Sequence, residues 1–266
     1  MLLSTAGGCI KSLLFFRRFL LFPLLVLTYT VAAGWPQSAH PGPYFARRNT
    51  FSFFGAYSND SSHILLGDAE QRKLLNFGAA YGRRLLLGHI VNWQYSGEFV
   101  PLAMESDPQS REVDNQTFPT VTTHIYYDQE PVVSCAPQTQ PYILYLDNGT
   151  VYSSGTATIT CFGRYWTIGE AFSPVGFQWN FLPQRKVQPF LIGHGGFMYS
   201  TKPIPVPYAG SFNFTFDVGA GIEVYRAKMR SIRVECRYHH ISNDDTAIEN
   251  PGIDNGMLQV TYSFGR

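Results

Sequence analysis

The stretch FNFTFDVGAGIEV, residues 212–224, decides the fold. Every second residue from Phe212 to Val224 is apolar, and the residues between them are polar or small. Side chains of a strand alternate between its two faces, so this strand has one continuously apolar face. It is longer than the roughly five or six residues of a typical globular strand. An apolar outer face and a polar or small inner face are typical of transmembrane β-barrels.

Seven other segments show the same alternation less cleanly, and no segment predicts a long helix. Eight strands are enough to close the smallest common barrel, whose interior is filled by side chains. We therefore predict an all-β protein with an eight-stranded antiparallel transmembrane β-barrel. The predicted strands are residues 51–57, 74–81, 85–95, 175–182, 187–199, 212–225, 231–242 and 257–264.

Residues 101–165 differ from the rest because Ser, Thr, Pro, Asp and Asn are common there. We predict a rim insertion between strands 3 and 4, as an inserted loop or a small hairpin extension turning at Asp147-Asn148-Gly149. Cys135 and Cys161 could pair in an oxidising compartment and clip this insertion. The pairing would leave Cys236 as a free thiol.

The N-terminus has the pattern of a secretory leader. Lys11, Arg17 and Arg18 precede an apolar run that ends in the small residues Val31-Ala32-Ala33. We predict a signal peptide at residues 1–33 and a mature domain at residues 34–266. The alternative is an N-terminal membrane anchor, although the run is short for a span of about 20 apolar residues. Either interpretation takes the mature chain out of the cytoplasm.

Composition excludes several classes of function. The net charge is +1, and the mature chain has no basic cluster, so no nucleic-acid partner is indicated. Neither C-x-x-C nor H-E-x-x-H spacing occurs, so we expect no metal site. No motif calls for a cofactor either, and the oligomeric state stays open.

His240-Ile241-Ser242 is the most informative motif for chemistry. Alternation places His240 and Ser242 on the same apolar face, with Cα atoms roughly 6.5 Å apart. A serine becomes nucleophilic when a histidine takes its proton and an acid orients that histidine. Asp254, late in the following loop, could fold back and supply this carboxylate, and Glu249 is the alternative acid. A nucleophile on this face would attack an ester or amide within a membrane lipid.

Two segments then carry a specific resemblance. Tyr238-His239-His240-Ile241-Ser242-Asn243 and Asn250-Pro251-Gly252-Ile253-Asp254-Asn255 resemble the C-terminal signature of the lipid A 3-O-deacylases, the PagL family, and of their acyloxyacyl-hydrolase-like relatives. The resemblance extends over about residues 174–264. It implies an outer-membrane serine esterase that removes the ester-linked 3-hydroxyacyl chain at position 3 of lipid A in bacterial lipopolysaccharide.

The resemblance also implies residue roles. Ser242 corresponds to the nucleophile, His240 to the general base and acid, and Asp254 to the acid, where the best-known members carry Glu. Asn243 and Asn250 are the oxyanion-hole candidates. His239 faces the opposite side of the strand, where we expect it to be structural.

Two other functions remain open at this point. One is a non-catalytic structural or adhesion barrel of the outer membrane, with residues 101–165 as its functional part. The other is a lipocalin-like soluble carrier, whose barrel would be apolar inside and polar outside.

Overall fold

The computed structural model describes residues 44–117, 122–126 and 130–266. The predicted signal peptide, residues 1–33, lies outside the described residues. Among the described residues, no helix is long and apolar enough to cross a membrane.

Strands joined by turns and loops make up the described chain. In chain order the strands are β1 (Asn49–Ser58), β2 (Lys73–Leu87), β3 (Val91–Thr117), β4 (Thr122–Tyr126), β5 (Glu130–Pro131), β6 (Gln138–Tyr145), β7 (Val151–Phe181), β8 (Val187–Ser200), β9 (Phe212–Ala227), β10 (Arg230–Ser242) and β11 (Ile253–Gly265).

Eight of these strands form a closed antiparallel ring in the order β1, β2, β3, β7, β8, β9, β10, β11. The ring closes because β1 pairs with β2 on one side and with β11 on the other. β3 and β7, although distant in sequence, pair directly and complete the circle. The predicted eight-stranded antiparallel barrel is confirmed.

The two faces of each barrel strand differ in polarity as predicted. On β9, Phe214 and Val218 are 45% and 49% exposed, whereas Asn213 and Asp217 are buried. The apolar face therefore points outwards, where a bilayer would cover it, and the polar face points into the barrel. This polarity is the reverse of a lipocalin-like carrier, so that interpretation is wrong.

Charged side chains of opposite sign fill the barrel interior and pair with one another. Arg237 lies 2.7 Å from Glu98, 2.8 Å from Glu235 and 3.3 Å from Asp217, and all four side chains are buried. Buried charges are tolerated when they are paired and hydrogen-bonded in this way. The interior is thus a packed polar core.

The third predicted strand, residues 85–95, is wrong in its position because it spans a turn. β2 ends at Leu87, β3 begins at Val91, and Gly88 N donates to Val91 O across the turn at 2.9 Å. Apolar residues precede and follow Gly88, so the pattern of the sequence does not show where β2 ends. Predicted residues 175–182 cover only the last part of β7 and run one residue past its end at Phe181.

The rim insertion between the third and fourth barrel strands is a continuation of β3 and β7. The pairing of β2 with β3 reaches Ser106, and the pairing of β7 with β8 reaches Gly169. β3 and β7 then pair with each other as far as Thr117 and Ser154, while β4, β5 and β6 join their edges. We call this part, residues 107–168, the extension.

Candidate active site

His240 and Ser242 lie at the end of β10 on the outer face of the barrel. Between them Ile241 is 2% exposed and points inwards, whereas His240 and Ser242 are half-buried. On the neighbouring β9, Phe216 is the cross-strand partner of His240 and Phe214 that of Ser242. The pair therefore opens onto an apolar surface, as the alternation predicts.

Asp254 contacts the imidazole of His240 directly. Its Oδ1 lies 2.7 Å from His240 Nδ1, and the Asp254 side chain is fully buried while that of His240 is 13% exposed. The sequence suggested that Asp254 lies in a loop that folds back, and this prediction is wrong. Asp254 belongs to β11, where it is the direct cross-strand partner of His240.

Three further donors hold the Asp254 carboxylate. The Tyr238 hydroxyl donates to Oδ1 at 2.7 Å, and the backbone N–H groups of Leu65 and Leu66 donate to Oδ2 at 2.7 and 2.8 Å. Hydrogen bonds to the charged form of a carboxylate favour ionisation. Asp254 is thereby arranged as a fixed anion facing one nitrogen of His240.

Leu65 and Leu66 belong to the β1–β2 loop (residues 59–72), which no sequence pattern connected with the site. The loop lies along the start of β11: Ser61 bridges Asn255, and Ala69 bridges Ile253. Backbone amides are available in every residue, so their role here has no signature in the sequence. The only local signal is Gly67, where an added Cβ would come within 2.6 Å of the Asp254 nitrogen.

Ser242 Oγ donates to Asn250 Oδ1 at 2.9 Å and accepts from Asp244 N at 3.2 Å. No hydrogen bond joins Ser242 to His240 among the described residues. Asn250 Oδ1 also accepts from the backbone N–H of Asn243 at 3.1 Å. Asn250 thus connects the hydroxyl of Ser242 to the following backbone.

Asn243 and Glu249 occupy supporting positions. The buried Asn243 side-chain amide donates to the carbonyl of Glu249 at 2.7 Å and to the carbonyl of Ala209. Both of its hydrogens are therefore used, one within the β10–β11 loop and one on the β8–β9 loop. The Glu249 side chain is exposed, and the carboxylate that meets His240 is that of Asp254.

A second Ser-His-Asp arrangement lies inside the barrel. His194 is 3.0 Å from Ser96 Oγ and 3.1 Å from Asp217 Oδ1. Glu98, His194 and Asp217 also place potential metal-ligand atoms within 4.8 Å of one another. The guanidinium of Arg237 contacts both carboxylates and offsets part of their negative charge.

The structure joins Cys135 and Cys161 in a disulfide, with Cα atoms 5.9 Å apart. The bond ties the segment after β5 to β7 within the extension. Cys236 is a free thiol, half-buried on the outer face of β10. His239 faces the interior, opposite Asp217 of β9 and Asn255 of β11.

One protein family and several solved structures are similar to this chain. The sequence profile of the family described as lipid A 3-O-deacylase (PagL) matches residues 129–263, a range that includes all of β10 and nearly all of β11. No curated protein matches the chain at a significant level.

Solved structures similar to this chain include the following two. The outer membrane enzyme PagL is 12% identical with a TM-score of 0.41, over 82% of this chain and 99% of that chain. Neisserial surface protein A (NspA) is 13% identical with a TM-score of 0.37, over 82% of this chain and 97% of that chain.

Proposed function

The chain belongs to the lipid A 3-O-deacylase (PagL) family, whose profile matches just over half of it, and we propose that it hydrolyses the ester-linked acyl chain at position 3 of lipid A. The barrel is an outer-membrane protein, and lipopolysaccharide is the proposed substrate. One observation carries the proposal: His240 is bound to a buried aspartate and lies two residues from Ser242 on the lipid-facing surface.

The roles follow from the hydrogen bonds of His240. Because Asp254 accepts from the Nδ1–H of His240, Nε2 is left with the lone pair, and this tautomer is assigned from the bonding. Nε2 takes the proton of Ser242 as Oγ attacks the ester carbonyl. The protonated imidazole is stabilised by Asp254 and then protonates the departing 3-hydroxyl group.

The acyl group is thereby transferred to Ser242 and must be released by water. His240 takes a proton from that water, which attacks the acyl-enzyme and yields a free fatty acid and the restored Ser242 hydroxyl. The cycle needs no redox change and no cofactor.

Ser242 Oγ must turn from Asn250 Oδ1 to His240 Nε2 for the reaction. Catalytic hydrogen bonds are often absent from substrate-free enzymes and form when substrate binds. We assign the oxyanion donor to the side-chain amide of Asn250, which donates one hydrogen to Asp245 Oδ1 at 3.1 Å and has a second. The backbone N–H of Asn243 is already donated to Asn250 Oδ1. The side-chain amide of Asn243 has no hydrogen left to donate.

The direct test compares lipid A before and after incubation with the refolded protein in detergent micelles. We expect mass spectrometry to show the loss of one 3-hydroxyacyl chain with the unaltered protein and no loss with Ser242→Ala. Ser154→Ala, in the extension, is the matched control and should keep full activity. Intact lipid A after incubation with a barrel that circular dichroism shows to be folded would contradict the proposal.

A binding role for the extension is a second candidate. Its tip carries exposed apolar side chains with few charges around them, including Ile143, Tyr145, Leu146 and Val151. This candidate gains support if deleting residues 138–152 abolishes adhesion by the cell surface while Ser242→Ala leaves adhesion unchanged.

A further inference from the structure

The two residues that supply donors to Asp254 are not held in place by their own side chains. Leu65 and Leu66 donate their backbone N–H groups to Asp254, yet their side chains are each 65% exposed. Exposed apolar side chains contribute little to the ordering of a loop. The position of these two amides therefore depends on how the loop on either side of them is fixed. The backbone N–H groups of Ser62, Asp68 and Ala69 donate to carbonyls of residues 251–254, and the end of the loop beyond Ala69 is fixed by other contacts.

One end of this loop is bound to the extension. The Gln71 side chain pairs with the backbone of Cys135 in both directions: Cys135 N donates to Oε1 and Nε2 donates to Cys135 O, each at 3.1 Å. Glu70 N donates to Val133 O at 2.9 Å. The buried guanidinium of Arg72 donates to the carbonyls of Val132 and Val133.

Gln71 also has a backbone conformation that needs such support. Its φ is +64°, in the left-handed region that non-glycine residues rarely adopt. A residue stays in this region only when its surroundings fix it. The paired hydrogen bonds to Cys135 provide that restraint.

Residues 132–135, which receive these contacts, form no regular strand. They are fixed by the disulfide from Cys135 to Cys161 of β7 and by the hydrogen bond from Val132 N to Pro108 O at 3.4 Å. We call residues 132–135 the stapled segment. A covalent bond in the extension is thus connected to Asp254 through the stapled segment, Gln71 and the β1–β2 loop.

We propose that the stapled segment positions Asp254, and through it His240, for the reaction, with Gln71 as the positioning residue that joins the two parts. The proposal rests on the proposed function. It gives the extension a role in catalysis and makes the activity depend on the Cys135–Cys161 disulfide. Without the disulfide or Gln71, the Leu65 and Leu66 amides would leave the carboxylate, and His240 would lose its fixed orientation.

The first test compares kinetics of the full-length protein in micelles. We expect Cys135→Ser/Cys161→Ser and Gln71→Ala each to lower kcat about ten- to hundredfold with little change in KM, since small misplacements of catalytic groups have effects of this size. Cys236→Ala, which keeps the disulfide, is the control and should retain full activity. Unchanged kcat in both altered proteins would overturn the proposal.

A double-mutant cycle separates positioning of Asp254 from a general loss of structure. If the disulfide acts through Asp254, its removal should cause almost no further loss of kcat in a chain that already carries Asp254→Asn. If the two losses of kcat multiply in full, the disulfide does not act through Asp254. Circular dichroism confirms that each barrel is folded.

Hydrogen exchange tests the inference without any activity. The backbone N–H groups of Leu65 and Leu66 should exchange at least several-fold faster in Cys135→Ser/Cys161→Ser, while those of β9 remain unchanged. Unchanged exchange at Leu65 and Leu66 would overturn the positioning role. If exchange is faster in Cys135→Ser/Cys161→Ser but the unaltered protein leaves lipid A intact, the positioning role is supported and only the proposed function is contradicted.

Discussion

Tyr238 and His240, two residues apart on the outer face of β10, bind the same oxygen of Asp254. The phenol of Tyr238 and Nδ1 of His240 are each 2.7 Å from Asp254 Oδ1. The Tyr238 hydroxyl therefore helps to orient the carboxylate, so that Oδ1 of Asp254 accepts from the imidazole N–H of His240.

Tyr238→Phe should lower kcat by roughly three- to tenfold and leave KM unchanged. A hydrogen bond to a charged group contributes about 1.5–3 kcal/mol, and the donors from His240, Leu65 and Leu66 remain on Asp254. Initial rates of acyl release, followed by mass spectrometry, measure the effect. Tyr262→Phe removes a hydroxyl from the same face of the barrel near its opposite end and should be silent. Full activity in Tyr238→Phe would show that this bond does not serve the reaction.

The identity of the acid can be decided by two isosteric changes. Asp254→Asn should lower kcat by about four orders of magnitude, as loss of the triad aspartate does in a serine protease, because the histidine then loses its tautomer. Glu249→Gln should have no effect, since that side chain is exposed and lies away from His240. The same lipid A assay compares both proteins. Comparable activity of Asp254→Asn and the unaltered chain would remove Asp254 from the mechanism.

The sequence predicts the barrel and the side on which the chemistry lies because strand periodicity is a local property. The alternation from Phe212 to Val224 and from Ile232 to Ser242 is sufficient to place His240 and Ser242 on the outer face. The turn at Gly88 escaped this reasoning because apolar residues continue across it. Periodicity indicates faces but not where a strand ends.

The support of Asp254 is different because it depends on contacts between distant parts of the chain. Leu65 and Leu66 contribute backbone groups, which are the same in every residue, and they meet Asp254 only after the barrel has closed through β1 and β11. The Gln71 and Cys135 contact likewise requires that β5 pair with β3, which brings the following residues beside the β1–β2 loop. Such contacts leave no pattern in a single sequence.

Gly252→Ala should reduce activity beyond its effect on stability. Gly252 has a φ of +58°, and an added Cβ would lie 3.2 Å from Cε1 of His240. Alanine in this conformation costs about 1–2 kcal/mol, and the methyl group would also displace the imidazole. Gly149→Ala, at a φ of +80° where a Cβ meets nothing, carries similar strain and is the matched control.

The two alanine variants should therefore unfold at similar urea concentrations but differ in kcat. Only Gly252→Ala is expected to lose activity, by roughly tenfold, since a displacement of a catalytic group by part of an ångström is costly. Equal activity of the two variants would mean that Gly252 does not constrain His240.

Arg237→Met should destabilise the barrel without touching the outer face. The change leaves Glu98, Glu235 and Asp217 buried beside one another with no guanidinium between them. Breaking a buried ion pair on one side typically costs about 3–5 kcal/mol, measurable as the free energy of unfolding in urea and micelles. Arg226→Met, at an exposed position, should change the same quantity by less than about 0.5 kcal/mol. Equal stability of the two variants would argue against the interior network.

Ser96→Ala decides between the two Ser-His-Asp arrangements of this chain. Ser96, His194 and Asp217 have suitable distances for catalysis, but each is at most 4% exposed, and they lie inside the barrel beside Arg237. A lipid held in the bilayer cannot reach them, so Ser96→Ala should retain full deacylation and lose only about 1 kcal/mol of stability. Ser242→Ala, measured in parallel on the same lipid A, should retain the fold and lose the reaction. The reverse result would place the active site in the barrel interior, because Ser96 already contacts its histidine, Ser242 does not, and only access to the lipid favours Ser242.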